Sequence, residues 1–528
     1  MKKKDSLLKS TGLFSVATLM SRILGLIRDS FIAAYIPHVW QDIFWAGFKI
    51  PATFRTLFAE GVLSTAFIPL LTRVLARESE EDAIEAAAAV FRALALTVMT
   101  AVTLGILFAP LYVPYLLQFP GDDSALFPGL NWRMEAGVWA TQVLFPFLFF
   151  IALAAWAMGV LNTYRIFFVS AIAPTLFNLS LILGCLLGAK WMNLTGFSLM
   201  TFMMGSVIIG GILQFAIQIP SVCRIRYFPP RWASPFHPKV WMFLRMLAPS
   251  IFGLAIYQIN SIISQTYFAS QYGKGGISQM NYAFRLIQFP LGVIGVALAT
   301  ASFPRIAQYF EQDRMEDASK TFVNVMKYML LIMIPSSAGL IVLGSDIVRL
   351  IYDHGHFHEQ QWLMPTLHVL IMYSIGIVFY GAVKVLARTF QARHNFRTPV
   401  VIGAISVACN IVLCAWFVHR QWPLWSLALS SSIASAVQTL LLIAMMRIKI
   451  PQLPLLFLLD FSARVFLASA GMALACWGVL KIIPLYQESF LGLSARVAMG
   501  VTVGIGAYLG LGWLLFRGEL LAILRKKQ

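Results

Sequence analysis

Four arginines and one lysine lie in stretches of this chain that are otherwise apolar enough to cross a bilayer. Most fall in segment 21–61, which reads SRILGLIRDSFIAAYIPHVWQDIFWAGFKIPATFRTLFAEG. An ionised side chain at the centre of a membrane helix costs about 2.5–3.5 kcal/mol, so such residues tend to face a water-filled space between helices. We therefore predict that five cations bind an anionic substrate: Arg22, Arg28, Lys49, Arg55 and Arg285.

Acidic residues are scarce in the same stretches. The predicted spans contain Asp29 and Glu60, and Asp42 lies at the outer end of the second span. We predict that these three carboxylates form ion pairs or gates. Lys384 and Arg496 lie near span ends, where a long side chain can extend to the membrane surface, and a structural role is expected for both.

Two prolines lie close in sequence to predicted substrate-binding cations. Pro51 is in the second span and Pro290 in a later one. A proline removes one helical hydrogen bond, so both helices should bend at these points. With Gly292 and Gly295, which add backbone freedom, the two prolines are predicted hinges for alternating access.

The composition is that of a polytopic membrane protein. Of the 528 residues, 59% are hydrophobic and 12% are charged, whereas soluble domains have about 25% charged residues. The formal charge of +18 would suit a nucleic-acid binder, but the basic residues are spread over short loops with no soluble domain to carry a binding surface. The five cysteines lack CxxC spacing, so neither a disulfide framework nor a zinc site is predicted.

Apolar runs long enough to span the membrane, about 20 residues each, occur about fourteen times. Of the 40 Lys and Arg residues, 27 fall in termini and loops that this arrangement places inside, and six fall in loops that it places outside. The positive-inside rule requires such an asymmetry. We predict a multi-pass protein with both termini in the cytoplasm, and with the loop around Asp122 and a histidine-rich loop outside.

An internal repeat predicts two similar lobes. Sliding the chain by 236 residues sets 29–35 over 265–271 and brings Lys49 onto Arg285. Transporters often bind substrate between such repeats. The predicted fold is all-α, with two pseudo-symmetric six-helix lobes and two additional C-terminal helices. The three predicted parts are 1–222, 223–450 and 451–528.

Other polar features favour structural interpretations. The run DHGHFHE at 353–359 has three alternating imidazoles but no defined fourth ligand, so a solvated turn is predicted and no metal site. Asn178 and Asn410 occupy corresponding spans of the two halves and are expected to be packing residues, with hydrogen bonds across helices as the alternative. No nucleophile, Walker or zinc-protease motif stands out, which argues against an enzyme that processes polyprenyl phosphates.

Several motifs, in order along nearly the whole chain, resemble the MurJ (MviN) family of lipid II flippases within the multidrug/oligosaccharidyl-lipid/polysaccharide exporter superfamily. They are SRILGLIRD (21–29), D-x6-FK-x-P-x3-R-x3-FAEG (42–61), APTLFN (173–178), YAFRLIQFPLGVIGVAL (282–298) and FQARHNFRTP (390–399).

This resemblance implies a substrate, lipid II, carried from the cytoplasmic to the periplasmic leaflet of the bacterial inner membrane for peptidoglycan synthesis. By motif position it places the family's cavity arginines on Arg22, Arg28, Arg55 and Arg285, and its rim aspartate on Asp42. It also implies that the C-terminal helix pair lines a groove for the lipid tail. The expected partners are lipid II, membrane lipids and cell-wall synthesis proteins, with no nucleic acid. We expect a monomer without a cofactor, and coupling to an ion or to the membrane potential is left open.

The chain departs from the family at a few positions. Many members have acidic residues where this chain has Phe284 and Gln288, and PN with paired arginines where it has Ala52 and Thr56. An ion-pair latch made from those groups is therefore not expected, whereas the cationic cavity is retained.

Two other transporters of the superfamily remain as alternatives. A cation-coupled drug exporter should carry carboxylates in its cavity, and the predicted spans are richer in cations than in acids. A polysaccharide-lipid flippase would use the same pyrophosphate chemistry, and the motifs are what favour lipid II over it.

Overall fold

In a computed structural model of the protein, every regular element described is a helix. The described residues are 2–56, 66–119, 132–228, 230–273, 275–292, 296–449, 454–482, 489–519 and 521. Within these ranges, ten helical stretches are long and apolar enough to cross a membrane. A membrane-spanning backbone must satisfy its own hydrogen bonds, and helices do so within one segment. The predicted all-α polytopic fold is confirmed, whereas the count of fourteen spans stays a prediction.

The chain forms two compact units. The first consists of residues 1–278 and 354–360, and the second of residues 279–353 and 361–528. The predicted division into 1–222, 223–450 and 451–528 rests on hydropathy and repeats, and it stays a prediction.

Eleven consecutive helices begin in residues 1–278 of the first unit. They are α1 (Lys2–Tyr35), α2 (His38–Thr56), α3 (Ile68–Arg77), α4 (Glu80–Leu116), α5 (Trp132–Leu144), α6 (Phe147–Thr163), α7 (Phe167–Leu186), α8 (Gly196–Ala216), α9 (Ile219–Arg224), α10 (Pro238–Ile262) and α11 (Gly276–Pro290). Helix α11 begins here and continues into the second unit. Short π-helical turns follow α7 and α10, at Leu187–Trp191 and Ile263–Phe268.

Small residues allow the helices of the first unit to approach closely. A methyl group added at Gly47 on α2 would lie 3.0 Å from the Cβ of Ala140 on α5. One added at Gly184 on α7 would lie 2.0 Å from the Ser206 hydroxyl on α8. Because lipid provides no hydrophobic drive between helices, close packing of this kind holds membrane helices together.

The histidine-rich segment contributes a short helix, α14 (His356–Glu359), that packs on α1 in the first unit. Gly355 has φ +51°, and a Cβ there would lie 2.2 Å from the Ala34 carbonyl oxygen. The His356 ring and the Glu359 carboxylate are 2.7 Å apart. Glycine is therefore required at 355 both for its backbone conformation and for its close approach to α1.

The second unit holds most of α11 and seven further helices. They are α12 (Val296–Glu311), α13 (Met315–Tyr352), α15 (Leu363–Ala392), α16 (Arg397–His419), α17 (Trp425–Lys449), α18 (Leu455–Ile482) and α19 (Phe490–Leu515). The C-terminal pair α18 and α19 packs on α13. Asn410 accepts a hydrogen bond from Ser430 across α16 and α17 (2.9 Å), which is the alternative that the sequence left open for this residue.

An ion pair that the sequence did not predict fixes α19 to α13. Arg496 Nε donates to Asp346 Oδ2 at 2.8 Å, and the two side chains are 13% and 9% exposed. The prediction that Arg496 extends to the membrane surface is therefore wrong. Asp346 escaped notice because the predicted span ended at 344, whereas α13 runs to Tyr352. Its carboxylate compensates a cation that would otherwise be costly to bury.

Candidate functional site

The Arg28 side chain is buried on α1 and is held by two partners. Its Nε and Nη2 donate to Asp29 Oδ1, the first at 2.8 Å. Its Nη1 donates to Asn178 Oδ1 on α7 at 3.0 Å. Arg28 and Asp29 are only 3% and 2% exposed. The predicted carboxylate Asp29 thus forms an ion pair with the predicted cation Arg28.

Asn178 links α7 to α1 through both polar atoms of its side-chain amide. Its Oδ1 accepts from Arg28, and its Nδ2 donates to the Ser21 backbone oxygen at 2.8 Å. Of the two roles expected for Asn178, packing or hydrogen bonding across helices, the structure shows the second, and these bonds hold α1 and orient the Arg28 guanidinium. The motif APTLFN, which ends at Asn178, was the sequence signal for this position.

The aromatic ring of Phe177 contacts two of the predicted cations. The guanidinium carbons of Arg28 and Arg55 lie 5.6 Å and 5.2 Å from its centroid. Phe177 is buried and stacks on Phe48 of α2, with the ring centroids 6.1 Å apart. Cation–π attraction to a shared ring lets two like charges approach each other. Sequence reasoning did not single out this residue, although it lies in the motif APTLFN at 173–178.

Lys49 is held by a glutamine from a distant part of the first unit. Its Nζ donates to Gln265 Oε1 at 2.7 Å, and the Ser261 hydroxyl donates to the same oxygen at 3.1 Å. Lys49 also lines a cavity of about 10 Å³ together with Thr266. That is room for about one water molecule, so an anion the size of a pyrophosphate would have to displace Gln265.

Asp42 caps the start of α11. Its Oδ2 accepts from the backbone N of Gly275 and its Oδ1 from the backbone N of Ser278, both at 2.9 Å. The Ser278 hydroxyl donates to Oδ1 at 2.6 Å. The buried Arg133 on α5, predicted to lie in a loop, acts electrostatically on the same carboxylate. A buried carboxylate with this many donors fixes the helix terminus that it caps.

Four of the five predicted substrate-binding cations lie in the first unit, and the structure brings two of them, Arg28 and Arg55, together on the Phe177 ring. Arg22 is half-buried on α1 of the same unit, and Arg285 is half-buried on α11 in the second unit. The proposed equivalence of Lys49 and Arg285 stays a prediction.

The predicted hinges and the gate residue Glu60 are only partly described. Pro51 lies inside a continuous α2, Pro290 is the last residue of α11, and Gly292 follows in a short π turn. Glu60 and Gly295 lie outside the described residues. Hinge motion at these positions stays a prediction.

In the described part of the chain, no three His, Cys, Asp or Glu side chains lie close enough together to hold a metal ion. Anion binding by the cations of this site stays a prediction.

Comparison with known proteins decides the family. The family model described as lipid II flippase MurJ matches residues 36–495, well over half of the chain. The chain belongs to the MurJ lipid II flippase family. It is therefore a membrane transporter and not an enzyme.

MurJ relatives match along most of their length. A probable lipid II flippase MurJ of Bdellovibrio bacteriovorus is 28% identical over 99% of this chain and 98% of its own. The lipid II flippase MurJ of Burkholderia cenocepacia is 31% identical over 80% of this chain and 81% of its own. The multi-pass membrane character and the MurJ assignment agree with the sequence-based resemblance.

Solved structures agree with the MurJ assignment. A lipid II flippase MurJ in an inward closed conformation has a TM-score of 0.77 at 27% identity, covering 96% of this chain and 99% of its own. An inward-facing multidrug resistance MATE transporter of the MOP superfamily has a TM-score of 0.68 at 14% identity, covering 83% of this chain and 98% of its own. At that identity, the second likeness concerns the fold alone.

Proposed function

We propose that the chain carries lipid II from the cytoplasmic to the periplasmic leaflet of the bacterial inner membrane by alternating access. The family supports this proposal, and the observation that carries it is the placement of Arg28 and Arg55 on the single ring of Phe177. A guanidinium donates two parallel hydrogen bonds to phosphate oxygens and stays charged at any working pH. Two guanidinium groups so placed suit a pyrophosphate.

Substrate binding would supply the energy for the conformational change. Arg28 and Arg55 lie against one aromatic ring, so their like charges repel each other when no anion is bound. A pyrophosphate would neutralise this repulsion and would replace Gln265 as the partner of Lys49. Its different affinity for the two conformations is what shifts their populations. In this mechanism Asp42 releases the start of α11 when the outer side opens.

A contact in the first unit supports the internal repeat. Asp42 and Ser278 are separated by 236 residues, the offset at which the two halves of the sequence align, and they bond directly to each other. Two residues that are equivalent under a two-fold axis contact each other only where both lie at that axis. The Asp42–Ser278 contact thus matches what a pair of symmetry-related repeats would produce.

The function is tested in vesicles that contain the purified chain and fluorescent lipid II. We expect the chain to make inner-leaflet lipid II accessible to a membrane-impermeant quencher far faster than in protein-free vesicles. Depleting the protein in cells should make lipid II accumulate on the cytoplasmic side.

The same vesicle assay separates the alternatives. A polysaccharide-lipid flippase would move a polyprenyl pyrophosphate carrying another glycan and leave lipid II in place, and a drug exporter would move neither. Either result would contradict the proposal. The described carboxylates of the site, Asp29 and Asp42, are engaged by Arg28 and by the start of α11, which disfavours a site for cationic drugs.

Both termini are proposed to be cytoplasmic, and a native cysteine can test this orientation. Cys223 is exposed at the end of α9, next to the basic loop that the positive-inside rule places in the cytoplasm. An impermeant maleimide should label Cys223 in inverted membrane vesicles but not in intact spheroplasts. The Cys223→Ser variant should lose this labelling, and labelling from the outside would reverse the topology.

The remaining proposed features concern partners and the lipid tail. We propose that residues 451–528 line a groove for the polyprenyl tail, that the chain works as a monomer, and that cell-wall synthesis proteins use its product. The attachment of α18 and α19 to α13, including the Arg496–Asp346 pair, would give such a groove a fixed wall.

A further inference from the structure

Six arginines form an exposed surface at one end of the first unit, called here the arginine surface. In the described part of the chain, none of their side chains takes part in a hydrogen bond or an ion pair. They are Arg73, Arg77, Arg165, Arg224, Arg226 and Arg245. Contacts between neighbouring residues bring the start of α4 together with the segments that follow α6 and α9. The Tyr164 and Tyr227 hydroxyls are 3.0 Å apart, and Tyr164 also donates to Glu80 at 3.3 Å.

The carboxylates near this surface are already engaged. The segment after α9 binds three of them, through Arg231 to Glu81 (4.0 Å), His237 to Glu85 (3.6 Å) and Lys239 to Glu78. Asp82 accepts hydrogen bonds from both the backbone N and the hydroxyl of Ser79, in the cap of α4. Two of these carboxylates, Glu78 and Glu81, are thus paired with permanently charged side chains, and the six exposed arginines outnumber the three that remain, Glu80, Asp82 and Glu85.

Exposed aromatic side chains lie among these cations. Trp232, Phe236 and Trp241 are 87%, 78% and 58% exposed. Trp232 is fixed by Arg92, whose guanidinium carbon lies 3.9 Å from the indole centroid and whose Nη2 donates to the Arg231 backbone oxygen. Held in this way, the indole cannot turn inward to bury itself.

The arginines and the exposed aromatic side chains lie at the end of a candidate membrane span, and this position indicates which kind of molecule binds them. A candidate membrane span, Gly196–Arg224, ends at the first arginine of the segment. Tryptophan prefers the headgroup region of a bilayer, and clusters of arginine near a span attract anionic lipids. A soluble acidic protein would match the charge, but it would not account for aromatic side chains at a span end.

We propose that the arginine surface, with Trp232, Phe236 and Trp241, binds the headgroups of acidic phospholipids and anchors the first unit to the membrane surface. The unpaired guanidinium groups bind lipid phosphates, and the aromatic side chains insert at the level of the headgroups. This interaction is separate from lipid II transport.

The charge part of the proposal is tested by electron spin resonance on the full chain in membranes containing spin-labelled phosphatidylglycerol or phosphatidylcholine. The native chain should restrict phosphatidylglycerol preferentially. Removing three arginines, with Arg224→Gln, Arg226→Gln and Arg245→Gln together, should reduce this preference by about fivefold for each arginine removed. If the triple variant does not insert, the single Arg224→Gln variant should still show a fall of about fivefold.

A control variant removes exposed cations that do have acidic partners. Arg314→Gln with Lys320→Gln deletes two side chains paired with Asp317 and Glu316, and it should leave the preference unchanged. Equal restriction of the two lipids by the native chain, or an unchanged preference in the triple variant, would overturn the proposal. So would a surface that binds polyglutamate in phosphatidylcholine membranes but shows no preference for phosphatidylglycerol.

The aromatic part is tested by fluorescence quenching with brominated phosphatidylglycerol. Trp232→Ser should remove a quenched component that is larger with brominated phosphatidylglycerol than with brominated phosphatidylcholine. The control is Trp191, which is also highly exposed, at 84%, but lies outside the arginine surface. Replacing Trp191 should remove a fluorescence component that the two brominated lipids quench equally. A Trp232 component that neither lipid quenches would contradict insertion.

Discussion

Replacing Arg28 with alanine is expected to reduce lipid II translocation by at least about a hundredfold, because charge-assisted hydrogen bonds to phosphate contribute about 1.5–3 kcal/mol each. Arg28→Lys should restore part of the activity, since lysine keeps the charge but loses the bidentate geometry. The measurement is the initial rate of lipid II translocation in vesicles with equal amounts of inserted protein.

Arg28→Ala also leaves the buried Asp29 carboxylate without its partner, which costs about 3–5 kcal/mol in buried pairs. A second variant changes one partner of Arg28 and leaves its pair with Asp29 in place. Asn178→Asp gives Arg28 a second carboxylate, so it should weaken transport, and its thermal stability is measured as well because the substitution also removes the donor to the Ser21 oxygen. Lys190→Ala removes an exposed cation far along the chain and should transport normally. Normal transport by both Arg28→Ala and Asn178→Asp would refute the proposed role of Arg28.

Asp42→Ala is expected to free the start of α11 and to abolish transport. The substitution removes the acceptor of two backbone N–H groups and of the Ser278 hydroxyl, and each buried donor left unpaired costs about 1–3 kcal/mol. Asp42→Asn should have a smaller effect, because one acceptor oxygen remains while the amide group opposes a donor. Amide hydrogen exchange at Gly275 and Ser278 reports the capping contact directly.

The control for Asp42 is a carboxylate whose ion pair is exposed. Asp460 pairs with Arg464, and both side chains are about half exposed, so Asp460→Asn should change stability by about 1 kcal/mol or less. Unchanged exchange at the start of α11 in Asp42→Ala would show that the cap is dispensable. Faster exchange with normal transport would separate the cap from any role in gating.

At position 284 many family members carry an acidic residue, whereas this chain has phenylalanine. The sequence could locate this difference but not explain it. Phe284 packs on Tyr373, with the ring centroids 5.5 Å apart. An aromatic contact within the second unit thus occupies the position where many members carry a charge, and no latch based on that charge is needed to hold this site.

The sequence alone determined the class of fold and the identity of the cations. Continuous apolar runs must become helices in a membrane, because no other open structure satisfies the backbone there. Charges inside such runs are expensive, so Arg28, Lys49 and Arg55 were recognisable as functional candidates before any contact was known. Asp29 and Asp42 could be identified as partners of some kind for the same reason.

Only the tertiary structure decided which groups meet. Asn178, Gln265 and Ser278 lie more than a hundred residues from the side chains that they contact, and Asp346 lies 150 residues from Arg496. Polar residues in membrane helices have the same local pattern whether they face a partner, a cavity or another helix. Their roles depend on which helix faces are packed together, and that packing is set by small residues and shape complementarity spread over the whole unit.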